Sequence, residues 1–534
     1  MKQLTGLDAS FLYMETPTTF GHVTGLMIFE RPSPDYDPYA AVYAKYASLV
    51  GELEPLRRRV VEVPFGLDHP YWVADPNFDL DFHVRELRLA RPGLVDQLAE
   101  QVCRIVGRPM DRTRPLWEVY VIDGLQDGRW ALLTKYHHAT IDGASGQLML
   151  QVVTDTTPDA PAPRQGPPWE PEALPATAEL LRRTAGHLTR NPFRAMRVQA
   201  RIVGQLADAA GIHGVSSAAG QAAAAVKWVA QLGRGNRPNI SLPAITAPPT
   251  PWNKTITPHR RFAMRTTSLD NVKRLKDATG STVNDIVMAI CAGGLREYLL
   301  AHYALPDRPL RAMVPVSIRT GDEADPWTNR VSAIVAELPT DCADPVERIA
   351  RCRNAMQDAK RTHELVPAAE LVDLAQYSTP VLATAAVRLA SRLRLADRVA
   401  LPFNLVISNV PGPRQPLYLA GAKLCHQFPV SVVTDGLGLN ITVVSYLDRL
   451  DFGFIADREL IPDVWDLADM HIAEITRLFD ATGAEWAQPP QPASPRRGPV
   501  KLTQTVTAPP AKEPTSTRGR ARRQARAGRE EGGR

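Results

Sequence analysis

Cysteine is scarce in this chain: five among 534 residues, scattered at Cys103, Cys291, Cys342, Cys352 and Cys425, with no C-x-x-C pair. That excludes a disulfide-stapled scaffold and fits free thiols in a reducing compartment. Long apolar runs are missing too. No window supplies the run of about 20 apolar residues that a spanning helix needs, so any meeting with lipid takes place at the surface. The opening residues, Met1-Lys2-Gln3-Leu4-Thr5-Gly6-Leu7-Asp8, hold no apolar h-region, and no secretory signal is expected. Charge of one sign does not dominate either. The net charge is +5, but from Arg496 onward eleven Lys/Arg face three acids, a balance of +8 that leaves about −3 on the rest. The basic balance belongs to the tail, so nucleic-acid binding does not follow from it.

What is present suits a globular protein. With 44% hydrophobic and 22% charged residues, the chain is long enough for two or more cored domains. Its most informative stretch is Lys135-Tyr136-His137-His138-Ala139-Thr140-Ile141-Asp142-Gly143. Residues 129–136 read as a strand and 144–153 as the start of a helix, so the histidines occupy a strand-to-helix turn. Imidazole can take and return a proton near neutrality. Asp142 could fix the turn or a ring tautomer, and Gly143 permits backbone conformations closed to other residues. A packed or surface histidine pair beside an ordinary Asp-Gly turn fits the same residues. A metal site fits less well, because no second His/Cys/Asp cluster has ligand spacing.

Strands and helices alternate along residues 1–156, as in an α/β domain. Strands are expected near residues 23–29, 58–63, 71–73, 78–84 and 114–124. Asp37-Pro38 should open a helix reaching residue 50, and Pro92 one reaching 105. Seven prolines between Pro158 and Pro175 mark a linker. Residues 176–232 are rich in Ala, Arg and Leu. There Phe193, Met196, Val203 and Leu206 can share one helical face and Arg190, Arg194, Arg197 and Arg201 another, either a surface for membrane or a packed helix with a solvated basic side. A second Pro-rich stretch, 238–251, closes this crossover.

From residue 252 the alternation resumes. Ser268 should cap a helix that Gly280 ends, and Thr282 opens a longer helix through Tyr303. Strands are expected at 310–318, 332–338, 403–408, 441–447 and 451–455, with helices at 345–361, 368–374 and 464–479. From Pro489 onward almost no large apolar residue occurs, and the tail is expected to be disordered.

The pattern His-His-x-x-x-Asp-Gly resembles the signature of the CoA-dependent acyltransferase superfamily, which includes chloramphenicol acetyltransferases and condensation domains of peptide synthetases. Further stretches narrow the resemblance to the bacterial wax ester synthase/diacylglycerol acyltransferases. They are Leu4-Thr5-Gly6-Leu7-Asp8-Ala9-Ser10-Phe11-Leu12, Pro115-Leu116-Trp117 with Gly124, Asn284-Asp285-Ile286-Val287-Met288-Ala289, Val314-Pro315-Val316-Ser317-Ile318-Arg319 and Ser408-Asn409-Val410-Pro411-Gly412-Pro413. Their order and spacing match over roughly residues 1–482. Ile286 and Met288 replace the family's usual Val and Leu conservatively.

The resemblance implies an α/β fold: two chloramphenicol acetyltransferase-like sandwich domains, joined by a long crossover, with the active-site channel between them. The domains are expected at 1–156 and 252–488, with the crossover at 157–251 and the basic tail at 489–534. It implies esterification of diacylglycerol to triacylglycerol, or of long-chain alcohols to wax esters, with acyl-CoA as co-substrate and no metal or prosthetic group. His138 would be the general base, His137 positional, and Asp142 structural and paired with an arginine. Asn284 and Asp285 would lie at the domain interface near the channel, with Asn284 open between helix capping and substrate contact. Asn284, a backbone amide or the Ser317 hydroxyl would stabilise the oxyanion. Pro115-Leu116-Trp117 reads as packing, and residues 408–413 as a turn shaping the channel. A cytoplasmic protein, peripheral to the inner membrane or to lipid inclusions, is expected. Two other readings are an acyltransferase for another lipid or polyketide alcohol, and a non-catalytic lipid-associated protein.

Overall fold

The computed structural model describes residues 1–141, 143–159, 166–190, 246–317, 327, 329, 331–365 and 380–489. The helix expected at 368–374, residues 191–245 of the crossover, the side chain of Ser317 and the tail from 490 lie outside these residues.

Strand β1 (Lys2–Gln3) leads to helix α1 (Gly6–Tyr13), capped by Thr5, and then to β2 (His22–Phe29). The next helix, α2 (Pro38–Val50), starts as its sequence indicates. Asp37 accepts hydrogen bonds from the Tyr39 and Ala40 amides, and Pro38 fills the first turn. A short α3 (Glu54–Arg57) precedes β3 (Arg58–Val61) and β4 (Tyr71–Ala74).

Residues 78–84 alternate at period two, yet they do not form one strand. Asp79 caps a single helical turn, α4 (Leu80–His83), and only then does β5 (Val84–Arg88) begin. The cause is His83. Its ring is buried between Phe78 and Trp117, with centroids 5.3 and 4.3 Å away, and its Nδ1 bonds the Trp117 carbonyl at 2.7 Å. Pro92 does not open the next helix either. The Gln97 side-chain oxygen accepts from the Gly93 and Leu94 amides, which starts α5 (Val95–Val106) three residues later.

The remaining elements follow in order. β6 (Trp117–Asp123), β7 (Trp130–His137), α6 (Gly143–Val153) and α7 (Thr177–Arg190) complete the first part. Then come β8 (Arg260–Ser268), α8 (Leu269–Thr279) and α9 (Val283–Ala301). Ser268 caps α8, and Gly280 ends it at φ 63°, a left-handed conformation that suits glycine. Next are β9 (Leu310–Ser317), β10 (Val331–Leu338), α10 (Pro345–Leu365) and α11 (Pro380–Arg392). The chain continues with β11 (Leu405–Val410), β12 (Tyr418–Leu419), β13 (Ala422–Val430), β14 (Leu439–Tyr446), β15 (Arg449–Asp457) and α12 (Val464–Thr482). Strand β11 runs through Asn409 and Val410, because both pair with β14 in parallel register.

Two six-stranded sheets organise the fold, in orders β12-β13-β2-β7-β6-β5 and β10-β9-β11-β14-β15-β8. The small sheet β1-β4-β3 stands apart. The second sheet is backed by α9, which is buried from Asp285 to Leu295. Gly293 and Gly294 leave no room for a β-carbon against Glu474 and His471, so α9 and α12 pack closely. Glu474, buried there, pairs with Arg348 and Arg477, which keeps the buried charge compensated.

Strand β13 comes from the second half of the chain but completes the sheet of the first, pairing antiparallel with β2. Its register shifts between Leu424 and His426, as at a bulge. Asp451 of β15 takes up the Gln427 amide at 2.8 Å and also accepts from Thr266 at 2.6 Å. At Gly453 a β-carbon would overlap the Pro429 carbonyl oxygen. The two sheets thus meet where only glycine fits. Gly453→Ala is expected to cost about 1–3 kcal/mol in urea unfolding, and a wild-type midpoint would contradict this close crossing.

Candidate active site

The histidine turn sits at the end of β7, a strand flanked by β2 and β6 and buried along all eight residues. Register places His137 opposite His22. The His137 amide donates to the Leu116 carbonyl at 3.0 Å, and the His138 amide to the Gly21 carbonyl at 2.7 Å. The Thr140 amide then turns back onto the His137 carbonyl at 2.8 Å, and α6 begins at Gly143. Asp142 lies outside the described residues.

His138 is half-buried, and its ring stacks on Phe11 with centroids 4.5 Å apart and planes 13° from parallel. Its carbonyl accepts from Asn329 Nδ2 at 2.6 Å. The backbone is therefore fastened on both sides of the ring, and one ring face is occupied.

His137 is wholly buried. The Ala139 amide donates to its Nδ1 at 3.0 Å, which puts the ring N–H on Nε2, 3.2 Å from Glu15 Oε1. Glu15 also accepts from the Gly21 amide at 2.8 Å and from Arg112 Nη2 at 2.7 Å. Burial alone would raise the Glu15 carboxyl, but the donors from His137, Gly21 and Arg112 outweigh it and hold it well below its ordinary value. Arg112 further donates to the Leu12 carbonyl and to Glu62, and its own pKa is raised. Gly21 is required by space, because a β-carbon there would stand 2.8 Å from His137 Nε2.

A second tie comes from the other half of the chain. Asn329 donates through its amide and its side chain to Asp8 Oδ1, at 3.1 and 2.6 Å, while the same side-chain nitrogen reaches the His138 carbonyl. Thr5 bonds the other Asp8 oxygen at 2.7 Å. Burial raises the Asp8 pKa in spite of these donors. Glu15, Gly21, Arg112 and Asn329 have no local signature. Glu15 and His137 are 122 positions apart, and the β2–β7 pairing helps to bring them together.

Asp285 is buried in a capping box, its carboxylate accepting from the Thr282 amide at 2.9 Å and its own amide donating to Thr282 Oγ1 at 3.2 Å. Asn284 is half-buried and accepts from Asn409 Nδ2 at 3.4 Å, which joins the Asn284-Asp285 stretch to the 408–413 stretch. Leu116 and Trp117 are fully buried, and Trp117 donates to the Leu56 carbonyl at 2.7 Å. Burial pushes the Cys103 thiol up to about 12, and Cys291 and Cys352 higher, so none of these three supplies a thiolate near neutrality. Among the described residues, no group of three His, Cys, Asp or Glu could hold a metal ion. The arrangement offers one firmly held imidazole able to move a proton.

Residues 4–287 match the wax ester synthase/diacylglycerol acyltransferase catalytic domain, and residues 327–478 match the C-terminal domain of the same family. The chain is 32% identical over 492 residues to the O-acyltransferase WSD of Acinetobacter baylyi, covering 91% of this chain and 98% of that protein. It is 34% identical over 487 residues to a Mycobacterium tuberculosis protein named a probable diacylglycerol O-acyltransferase, covering 89% and 98%. Among solved structures it is similar to the wax ester synthase/diacylglycerol acyltransferase of Marinobacter aquaeolei VT8, with TM-score 0.64 and 30% identity over 90% of this chain and 100% of that one. The first condensation domain of the calcium-dependent antibiotic synthetase shares the fold at TM-score 0.50 and 16% identity, over 91% and 97% of the two chains.

Glu15 binds its proton less readily in the folded than in the unfolded chain. Its contribution is therefore present above its ordinary value of 4.5 and is lost as the pH falls below that. Between about pH 5 and about pH 3, wild-type stability in urea should fall more steeply than that of Glu15→Gln. Parallel curves would contradict the Glu15 network. Asn329→Ala leaves Asp8 and the His138 carbonyl short of a donor, with an expected loss of about 1–3 kcal/mol by the same measurement.

Proposed function

The chain belongs to the wax ester synthase/diacylglycerol acyltransferase family and is an acyltransferase, and from that premise we propose that His138 is its general base. The reaction is acyl-CoA-dependent esterification of diacylglycerol to triacylglycerol, with long-chain alcohols as further acceptors that yield wax esters. The names of the relatives support both acceptors.

An alcohol is a weak nucleophile at neutral pH. His138 removes the hydroxyl proton as the oxygen attacks the thioester carbonyl. The tetrahedral oxyanion collapses, the carbon–sulfur bond breaks, and the CoA thiolate takes the proton from His138. The observation that carries this reading is the double fastening of the His138 backbone, by Gly21 on one side and Asn329 on the other. A base held this way keeps its ring in register with a bound substrate. His137 serves as a positioning residue, since Glu15 and the Ala139 amide engage both its ring nitrogens. Asp142 and Gly143 shape the turn that follows, with Asp142 paired to an arginine. Asn284 or a backbone amide serves the oxyanion.

The site lies in a channel between the two halves, and Asn329 on the His138 carbonyl supports that location. Acyl-CoA arrives as co-substrate, and neither metal nor prosthetic group takes part. Among the described residues no helix is long and apolar enough to cross a membrane. From the lipid acceptors named for its relatives, we propose that the enzyme works peripherally, from the cytoplasmic side, on lipid held in a membrane or an inclusion.

Labelled palmitoyl-CoA offered separately with diacylglycerol and hexadecanol tests the reading. The wild type is expected to form triacylglycerol and wax ester, and His138→Ala to lose roughly 10²–10⁴-fold in rate with an unchanged melting curve. Undiminished product from His138→Ala would remove the base from this mechanism.

A further inference from the structure

Two aromatic side chains stand out in water at a backbone cost, Tyr303 just after α9, 100% exposed with φ 53°, and Phe65, which has a second large apolar residue beside it. Phe65, in the turn Pro64–Gly66 between β3 and β4, is 81% exposed and has φ 61°. That left-handed conformation is unfavourable for a residue with a β-carbon, by roughly 1–2 kcal/mol. Leu67, two residues on, is 43% exposed. Solvent gives no reason to keep two large apolar side chains on a strained loop tip.

This loop abuts α11. A β-carbon on Gly66 would touch the backbone and β-carbon of Val381 at 3.3–3.5 Å. Along α11 the exposed residues Val381, Ala385, Ala386, Arg388, Leu389 and Arg392 fall within an arc of about 160°. Apolar and cationic side chains therefore share one face. Arg394 and Arg398 follow directly, and Asp397 is the one acid between residues 380 and 401. The inward side of the helix is different. Ala383 packs on the cluster of Leu4, Leu12, Tyr13, Leu116 and Ala139, and Ala139 adjoins His138.

We propose that the Phe65–Leu67 loop and the exposed face of α11 together dock the protein on the surface of an anionic phospholipid bilayer. This rests on the reading that the acyl acceptor is a membrane-held lipid. Apolar side chains among arginines suit an interface whose headgroups are negative and whose interior is apolar. A loop tip beside one helix face gives a planar surface its contact without a groove. The cavity lined by Thr266, Asn271, Arg449 and Trp486 includes none of these residues. Docked this way, the bilayer lies against the outer side of a helix whose inner side packs beside the histidine turn. A lipid acceptor then has a short path to the site.

Flotation of the full chain with vesicles of phosphatidylcholine, with and without phosphatidylglycerol, tests the proposal. Phe65→Asn tolerates the left-handed backbone and removes the ring. Combined with Leu389→Ser, it should lower partitioning roughly tenfold or more on either vesicle. Arg388→Gln with Arg392→Gln should lower it only where phosphatidylglycerol is present. Melting curves and ester formation with a short, water-soluble alcohol should match wild type in both variants, because none of these residues belongs to the catalytic machinery. Wild-type partitioning in both variants overturns the docking face, as does a wild type that binds neither vesicle. Self-association that these variants abolish, in place of vesicle binding, would assign the face to a second copy and also overturn it. Loss of vesicle binding in the variants supports the face even if no acceptor yields ester, an outcome that would remove the proposed reaction instead.

Discussion

A carboxylate taken out of water must be surrounded by donors, and Glu15 is surrounded by three sources of them: an imidazole, a backbone amide and a guanidinium. Much of the site depends on that satisfaction. Glu15 sets the ring of His137, and His137 is the last residue of the strand that delivers His138. The Gly21 amide that binds Glu15 belongs to the same residue whose carbonyl receives the His138 amide. One buried charge thereby couples the entry of β2 to the exit of β7. Arg112, anchored also on Leu12 and Glu62, ties the pair to α1 and to the residue that follows β3. The His138 imidazole follows directly on this strand end. It inherits its place from a neighbour that cannot turn.

The second tie runs between parts of the chain far apart in sequence. Asn329 connects Asp8, in the first helix, with the His138 carbonyl. Thr5 and Asp8, which open the Leu4–Leu12 stretch, therefore serve the site through hydrogen bonds, while Phe11 serves it by stacking. A run of nine residues that carries no reactive group is thus explained by position alone.

Local chemistry makes much of the fold legible in the sequence. Asp37-Pro38, Ser268 with Gly280, and Thr282 with Asp285 each announce a helix end through groups adjacent in sequence, and each was found where its cap predicts. Most strands of the two six-stranded sheets, among them β2, β7, β9, β10, β11, β14 and β15, follow from short apolar segments. The readings that failed were decided by distant partners. Residues 78–84 alternate like a strand, but Trp117 draws His83 into a helical turn. Strand β13 passed unread because its bulge breaks the alternation and Asp451 supplies the missing pairing. At the site, His137 and His138 were visible as a motif. Glu15, Gly21, Arg112 and Asn329 were not, since an ordinary acid, glycine, arginine or amide gains its meaning only when pairing brings it to the turn. Asp285 caps its own helix with Thr282.

Strand β13 has a consequence for how the molecule is made. Leu424 pairs with Phe29, so the edge of β2 is covered only by a segment synthesised almost four hundred residues later. During translation the first sheet emerges with β7, β6 and β5 able to assemble on β2 while its outer edge stays bare. A bare edge invites pairing with the wrong chain, and closing so long a loop is slow. The nascent protein therefore passes most of its synthesis with the strand opposite its histidine turn half-clothed. The order of the gene makes the last third of the polypeptide the completing edge of the first.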